Sequence, residues 1–127
     1  MGGTNTAFDR LMAVIEDRKR NPPEKSYTTR LFAGGVAKIG AKIREEAAET
    51  VEAAAEPGSA GRQHLIYEAA DLVYHLFVLL GHCDVSLAEL EAELARRFGI
   101  SGIDEKAARP ATAPVASPAE KPADQIT

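Results

Sequence analysis

Residues Leu65 to Gly81 read LIYEAADLVYHLFVLLG, and the recurrence of apolar residues in this stretch decides the fold. Leu65, Ala69, Leu72, Val73, Leu76 and Leu80 follow one another at three- and four-residue intervals, which puts them on one side of an α-helix and predicts that side as its core face. Glu68, Asp71 and His75 form a polar stripe along the same helix. Ile66, Tyr67, Tyr74, Phe77 and Val78 fill most of what remains, so the helix is apolar almost all the way round. Such a helix is surrounded by protein, and a folded part of about 90 residues supplies few neighbours. The pattern therefore predicts a homodimer built around this helix and the one before it.

Working outward, the spacing predicts this helix over about Ala60 to Cys83, with Ser59 as its cap. A preceding helix runs from about Thr28 to Glu56, irregular near Gly34, Gly35 and Gly40 and ended by Pro57-Gly58. A first helix covers Ala7 to Arg20, with Phe8, Leu11, Met12 and Ile15 at helical spacing and Pro22-Pro23 stopping it. A last one begins at Ser86, where Ser86-Leu87-Ala88-Glu89 has the form of a capping box, and stops by Gly99. No stretch alternates apolar and polar residues as a strand would, so the expected fold is all-α, a helical bundle of about four helices completed by homodimerisation. The domain is expected to span residues 1–103. Residues 104–127 carry Pro110, Pro114, Pro118 and Pro122 among many alanines, with no Leu and no aromatic residue, and are expected to be a disordered tail.

Composition narrows the function. Fifteen Lys and Arg against nineteen Asp and Glu leave a net charge of −4 in 127 residues, so there is no general basic field for a nucleic-acid backbone. The nearly uncharged run from Leu72 to Gly81 is about half of the roughly 20 residues a bilayer span requires, and MGGTNTAFDR lacks the layout of a signal peptide. A cytoplasmic protein away from membranes is expected, and the single Cys83 fits a reducing compartment as a small apolar filler.

The chemistry lies in the carboxylates of the two long helices. With Ile39, Ile43, Ala47 and Val51 taken as the buried face of the second helix, Glu46 falls between Ile39 and Ile43, and Glu49 lies beside Lys42. Burying an unpaired carboxylate costs several kcal/mol or forces protonation, so an inward Glu46 implies a cation partner or a metal. Glu45, Glu52 and Glu56 point further out. Glu46 with Glu49 and Glu68 with Asp71 are spaced three apart on their helices, and together they can form a nest of carboxylates suited to Mg²⁺, which takes oxygen ligands and engages phosphate oxygens. His64 and His82, at helix ends, are expected to face solvent.

These residues carry a resemblance. Glu45-Glu46-Ala47-Ala48-Glu49, followed by Glu68-Ala69-Ala70-Asp71, resembles the EExxE and ExxD signature of the all-α, MazG-type nucleoside triphosphate pyrophosphohydrolases. The flanking text, VIEDRKRNPPEKSYTTRLF over Val14 to Phe32 and EAADLVYHLFVLL over Glu68 to Leu80, is similar to the phosphoribosyl-ATP pyrophosphohydrolase family. The resemblance implies Mg²⁺-dependent hydrolysis of phosphoribosyl-ATP to phosphoribosyl-AMP and pyrophosphate, the second step of histidine biosynthesis, by a homodimer. By position it implies Glu46, Glu49, Glu68 and Asp71 as metal ligands, Glu45, Glu46 and Glu49 as catalytic carboxylates, and Lys42 against the nest or a phosphate. Arg18, Lys19 and Arg20 at the end of the first helix, and Tyr27 in the polar segment before the second, are candidates for binding the substrate. Alternatives are a house-cleaning nucleoside triphosphate pyrophosphohydrolase of the same fold and a non-enzymatic, dimeric helical binding module.

Overall fold

In a computed structural model, residues 5–99 are described. They form four helices: α1 (Ala7–Arg20), α2 (Tyr27–Ala54), α3 (Gly58–His82) and α4 (Leu87–Phe98). No strand occurs among the described residues, in agreement with the all-α expectation. The tail expected over residues 104–127 lies outside the described part.

Each helix starts where its local chemistry allows. Thr6 caps α1 in a reciprocal box with Asp9: the Asp9 backbone N–H donates to Thr6 Oγ1 at 3.1 Å and the Thr6 N–H to Asp9 Oδ2 at 3.0 Å. Ser26 caps α2, its Oγ accepting from the Thr29 N–H at 3.2 Å. The box anticipated before α4 is present, with the Glu89 N–H on Ser86 Oγ at 3.1 Å and the Ser86 N–H on Glu89 Oε1 at 3.0 Å. Ser59, by contrast, is not a cap. α3 begins at Gly58 behind Pro57, with no side-chain cap, which places Ser59 already inside the first turn. Of the three glycines that marked an irregular α2, Gly35 alone breaks the helix. Its φ of 70° and ψ of −165° interrupt the regular backbone, a conformation glycine reaches without the Cβ clash that burdens other residues.

The chain divides into two compact units between Leu90 and Glu91. In the first, α3 packs along α2 and against α1 around Met12, Ile15, Leu31, Ile39, Phe77, Val78 and Leu87. Ile15, Leu31, Ile39 and Val78 are fully enclosed, each contributing about 1.5–3 kcal/mol by leaving water. Gly81 lets α1 approach α3 closely, since a Cβ there would lie 2.9 Å from Ile15 Cγ2. In the second unit, the described residues continue α4, where Glu93 pairs with Arg96 and Arg97 and its carboxyl is held down to about 2 by their hydrogen bonds.

Two face assignments from periodicity are corrected. The buried residues of α3 are Gly61, Glu68, His75, Phe77, Val78 and Gly81, so the supposed core face of Leu65, Ala69, Leu72, Val73, Leu76 and Leu80 is at most half-buried and Leu76 is exposed. On α2, Ile39 is buried as expected and Ile43 and Ala47 partly so, but Val51 is 72% exposed. The physical reason is that the polar stripe of α3 lies in the α2–α3 interface, leaving an apolar side of both helices uncovered. Among the described residues α3 is also, by length and composition, apolar enough to cross a bilayer, at a mean hydropathy of 1.2.

Candidate active site

Glu46 projects from the middle of α2 into the α2–α3 interface and is buried at 6% exposure, as its position between Ile39 and Ile43 requires. Across the interface stand Glu68, buried at 8% exposure, and Asp71, half-buried one turn further along α3. Oxygens of Glu46, Glu68 and Asp71 lie within 4.8 Å of one another. Burial, reinforced by hydrogen bonding to Glu68 and by the charges of Asp71, Glu49 and Glu68, pushes the Glu46 carboxyl up to about 7. Glu49, one turn beyond Glu46, has its carboxyl raised by desolvation and by the Glu68 and Glu45 carboxylates.

Glu46 Oε1 and Glu68 Oε1 are both buried with no hydrogen-bond donor. A buried acceptor left unpaired carries a desolvation penalty that either a proton or a cation relieves. An all-oxygen set around such orphaned atoms fits a hard divalent ion, with Glu46, Glu68 and Asp71 close enough to share it; Glu49, expected as a fourth ligand, is not in that group, although its charge acts on Glu46. Glu45 faces outward, and Lys42 Nζ donates to its Oε1 at 3.2 Å, which raises the Lys42 ammonium.

One support was missed from sequence. His64 does not simply face solvent: Nε2 lies 3.0 Å from Glu68 Oε2 and Nδ1 3.0 Å from Glu56 Oε2, so the imidazole bridges the α2–α3 connection to the carboxylate cluster. Both carboxylates raise its pKa, Glu56 foremost. The one-turn spacing of His64 and Glu68 was a visible signal; the approach of Glu56 depends on the α2–α3 turn. Cys83 is exposed rather than a core filler. His82 is partly buried, stacked on Phe32 at 6.0 Å.

Beside the carboxylates opens a cavity of about 430 Å³ lined by Tyr27, Lys42, Glu46, Asp71, Tyr74 and His75. His75 is buried, and its Nδ1 sits 2.9 Å from the Asp71 carbonyl, which can only accept, so this nitrogen carries a proton. Its Nε2 meets the Tyr27 hydroxyl at 2.9 Å and fixes that ring at the cavity wall. The Tyr27 hydroxyl is raised, mainly by desolvation. Tyr74 stacks near Tyr27 at 6.2 Å and hydrogen-bonds to Thr28 through its hydroxyl. The three cations at the end of α1 part company. Lys19 Nζ donates to the carbonyls of Gly81 and His82 at 3.2 and 2.8 Å and to Asp84 Oδ1 at 2.9 Å, closing the C-terminus of α3. Arg20 lies on the surface 3.9 Å from Asp17, whereas Arg18 borders a second cavity that also touches Tyr27 and Tyr74.

The described residues are helical, and their two longest helices bring Glu46, Glu68 and Asp71 together, which is the all-α class of the MazG-type pyrophosphohydrolases. The family model for phosphoribosyl-ATP pyrophosphohydrolase matches residues 8–98, from α1 to the end of α4, and the chain belongs to that family. It is 58% identical over 104 residues to a phosphoribosyl-ATP pyrophosphatase of Rhodopirellula baltica, covering 82% of this chain and 87% of the relative. The corresponding protein of Rhodobacter capsulatus is 53% identical over 104 residues, covering 82% and 98%, and that of Paramagnetospirillum magneticum 50% over 109 residues, covering 86% and 97%.

Proposed function

We propose that this chain hydrolyses phosphoribosyl-ATP between its α- and β-phosphates, giving phosphoribosyl-AMP and pyrophosphate, the second step of histidine biosynthesis. The observation that carries the reading is the pair of donorless buried oxygens, Glu46 Oε1 and Glu68 Oε1, beside a cavity that also presents Lys42 and Tyr27. Mg²⁺ is the cation proposed, held by Glu46, Glu49, Glu68 and Asp71. When bound it supplies positive charge that offsets both the carboxylates and the polyphosphate. Lys42 binds a phosphate oxygen, its ammonium kept charged by Glu45. Glu45, through the oxygen that Lys42 leaves free, orients water toward phosphorus with Glu49 and Glu46. Tyr27, held by His75, positions the nucleotide against the cavity wall.

The active form is proposed to be a cytoplasmic homodimer. What supports this is the uncovered apolar surface of α2 and α3, where Val51, Ile66, Tyr67 and Leu76 are 72%, 53%, 65% and 37% exposed. The enzyme acts on its substrate without nucleic acid or a membrane as partner, and the activity is assigned to residues 1–103. The test is pyrophosphate release from phosphoribosyl-ATP and from a panel of nucleoside triphosphates, with and without Mg²⁺. A strong preference for phosphoribosyl-ATP is expected. Comparable turnover of a common triphosphate makes the protein a house-cleaning enzyme, and no turnover of any leaves a binding module.

A further inference from the structure

The second cavity, about 420 Å³, shares Tyr27 and Tyr74 with the cavity beside the carboxylates. Arg18, Lys25, Ser26 and Thr28 line it together with Tyr27 and Tyr74, and no acidic side chain does. Its two cations have no carboxylate partner among the described residues, in contrast to Lys19 and Lys42, which are engaged by Asp84 and Glu45. Ser26 Oγ accepts from the Thr29 N–H, which leaves its own proton free to donate. The two cavities therefore share one wall and differ in sign: one is acidic and suited to a cation with its polyphosphate, the other basic.

Phosphoribosyl-ATP is divided in the same way. Besides its triphosphate it carries a second ribose with a phosphate of its own, and the base separates the two ends. We propose that the Arg18–Lys25 cavity is the subsite for this second phosphate, and that it is what distinguishes the substrate from an ordinary nucleoside triphosphate; the proposal rests on the activity assigned above. Arg18 offers a planar fork of donors to the phosphate, Lys25 a point charge, and Ser26 a hydroxyl proton. The triphosphate stays with Lys42 and the carboxylates, while the base and its two riboses cross the edge of Tyr27 and Tyr74. An ordinary triphosphate leaves both cations of the second cavity unpaired, so it forgoes that share of the binding.

The experiment uses the full chain with Mg²⁺ and compares phosphoribosyl-ATP with its analogue lacking the second phosphate, ribosyl-ATP, for wild type, Lys25→Ala, Arg18→Ala and Arg18→Lys. Each alanine variant is expected to raise KM for phosphoribosyl-ATP about ten- to a hundredfold with little change in kcat, narrowing the discrimination between the two substrates, and Arg18→Lys to recover part of the loss. In parallel, ribose 5-phosphate is titrated by NMR. It is expected to shift amide signals around Lys25 and Tyr27 in wild type and in Glu46→Gln, but not in the alanine variants. Wild-type KM in both alanine variants, or equal losses on both substrates, overturns the subsite. Lys25 lies in the α1–α2 connection with no partner to lose, so its variant remains informative if Arg18→Ala melts early. Ribose 5-phosphate bound at Arg18 and Lys25 in a protein that does not turn over phosphoribosyl-ATP removes the assigned activity and keeps the subsite. Turnover with no such binding removes the subsite alone.

Discussion

Replacing Glu46 by Gln separates the charge of this residue from its shape, and the structure fixes what each is worth. In the metal-free protein the Glu46 carboxyl stands at about 7 against an ordinary 4.5. A folded-state pKa raised above its unfolded value means that the native state holds a proton the unfolded chain releases. The associated stability is complete below about 4.5 and is lost as pH rises toward 7. At about 1.4 kcal/mol per pH unit the whole interval is worth about 3 kcal/mol, and water reaching the open side of the cluster trims this toward about 2 kcal/mol. Gln carries no charge at any of these pH values. Metal-free Glu46→Gln is therefore expected to melt at least about 8 °C above wild type at pH 8 and close to it at pH 5. Pyrophosphate release by the same variant should fall by orders of magnitude, and Mg²⁺ should raise its melting temperature far less than it raises that of wild type. Glu52→Gln, on the exposed side of α2, is the control and should change neither quantity. Circular dichroism melts at fixed protein concentration across pH 5–8, with and without Mg²⁺, give the comparison. A stability gap independent of pH would show that Glu46 is not held as a strained acid, and wild-type activity in Glu46→Gln would refute the site.

Gly81→Ala drives a Cβ to 2.9 Å from the buried Ile15 side chain, so Ile15 or the helices must shift; a loss of about 1–3 kcal/mol in urea unfolding is expected, and an unchanged midpoint would mean that the contact yields freely. Light scattering should give twice 13.5 kDa for wild type and a lower mass for the double variant Val51→Glu, Ile66→Glu, while a monomeric wild type would leave the uncovered apolar surface unexplained. His64→Ala frees Glu68 from one of its restraints, and the expected result is a higher Mg²⁺ concentration for half-maximal activity with kcat retained at saturation; an unchanged Mg²⁺ requirement would make the bridge to Glu56 purely structural.

Helix existence, the Ser86–Glu89 box and the burial of Glu46 are all legible in the sequence, because each rests on spacing within one helix. The orientation of α3 is not. Phe77 and Val78 on one side and Leu65, Leu72 and Leu76 on another are equally apolar, and periodicity cannot rank two such faces. Ser59 misled for a related reason: a serine beside a helix start is a common cap, but the backbone of Pro57-Gly58 had already begun the turn. Lys19 is the reverse case. Beside Arg18 and Arg20 it looks like part of a basic cluster, yet its ammonium goes to the carbonyl ends of α3, a contact across more than sixty residues that no local pattern contains.

The carboxylates explain why burial and hydrophobicity disagree in this fold. Glu68 and His75 are better buried than Leu65 or Leu72, an order that no transfer scale would give for a chain folding without ligands. The order becomes reasonable once the α2–α3 interface is treated as a binding site. In the proposed function its polar groups are enclosed to meet a cation and a polyphosphate, and in the chain alone burial and the neighbouring carboxylates push the Glu46 carboxyl up to about 7. The same enclosure consumes the sides of α2 and α3 that would otherwise form the centre of a monomer, and turns their apolar sides outward. If the proposed function and the proposed homodimer both hold, the acidic site and the second copy of the chain have one cause: the two longest helices would give their shared interface to chemistry and find the rest of their hydrophobic core in a partner.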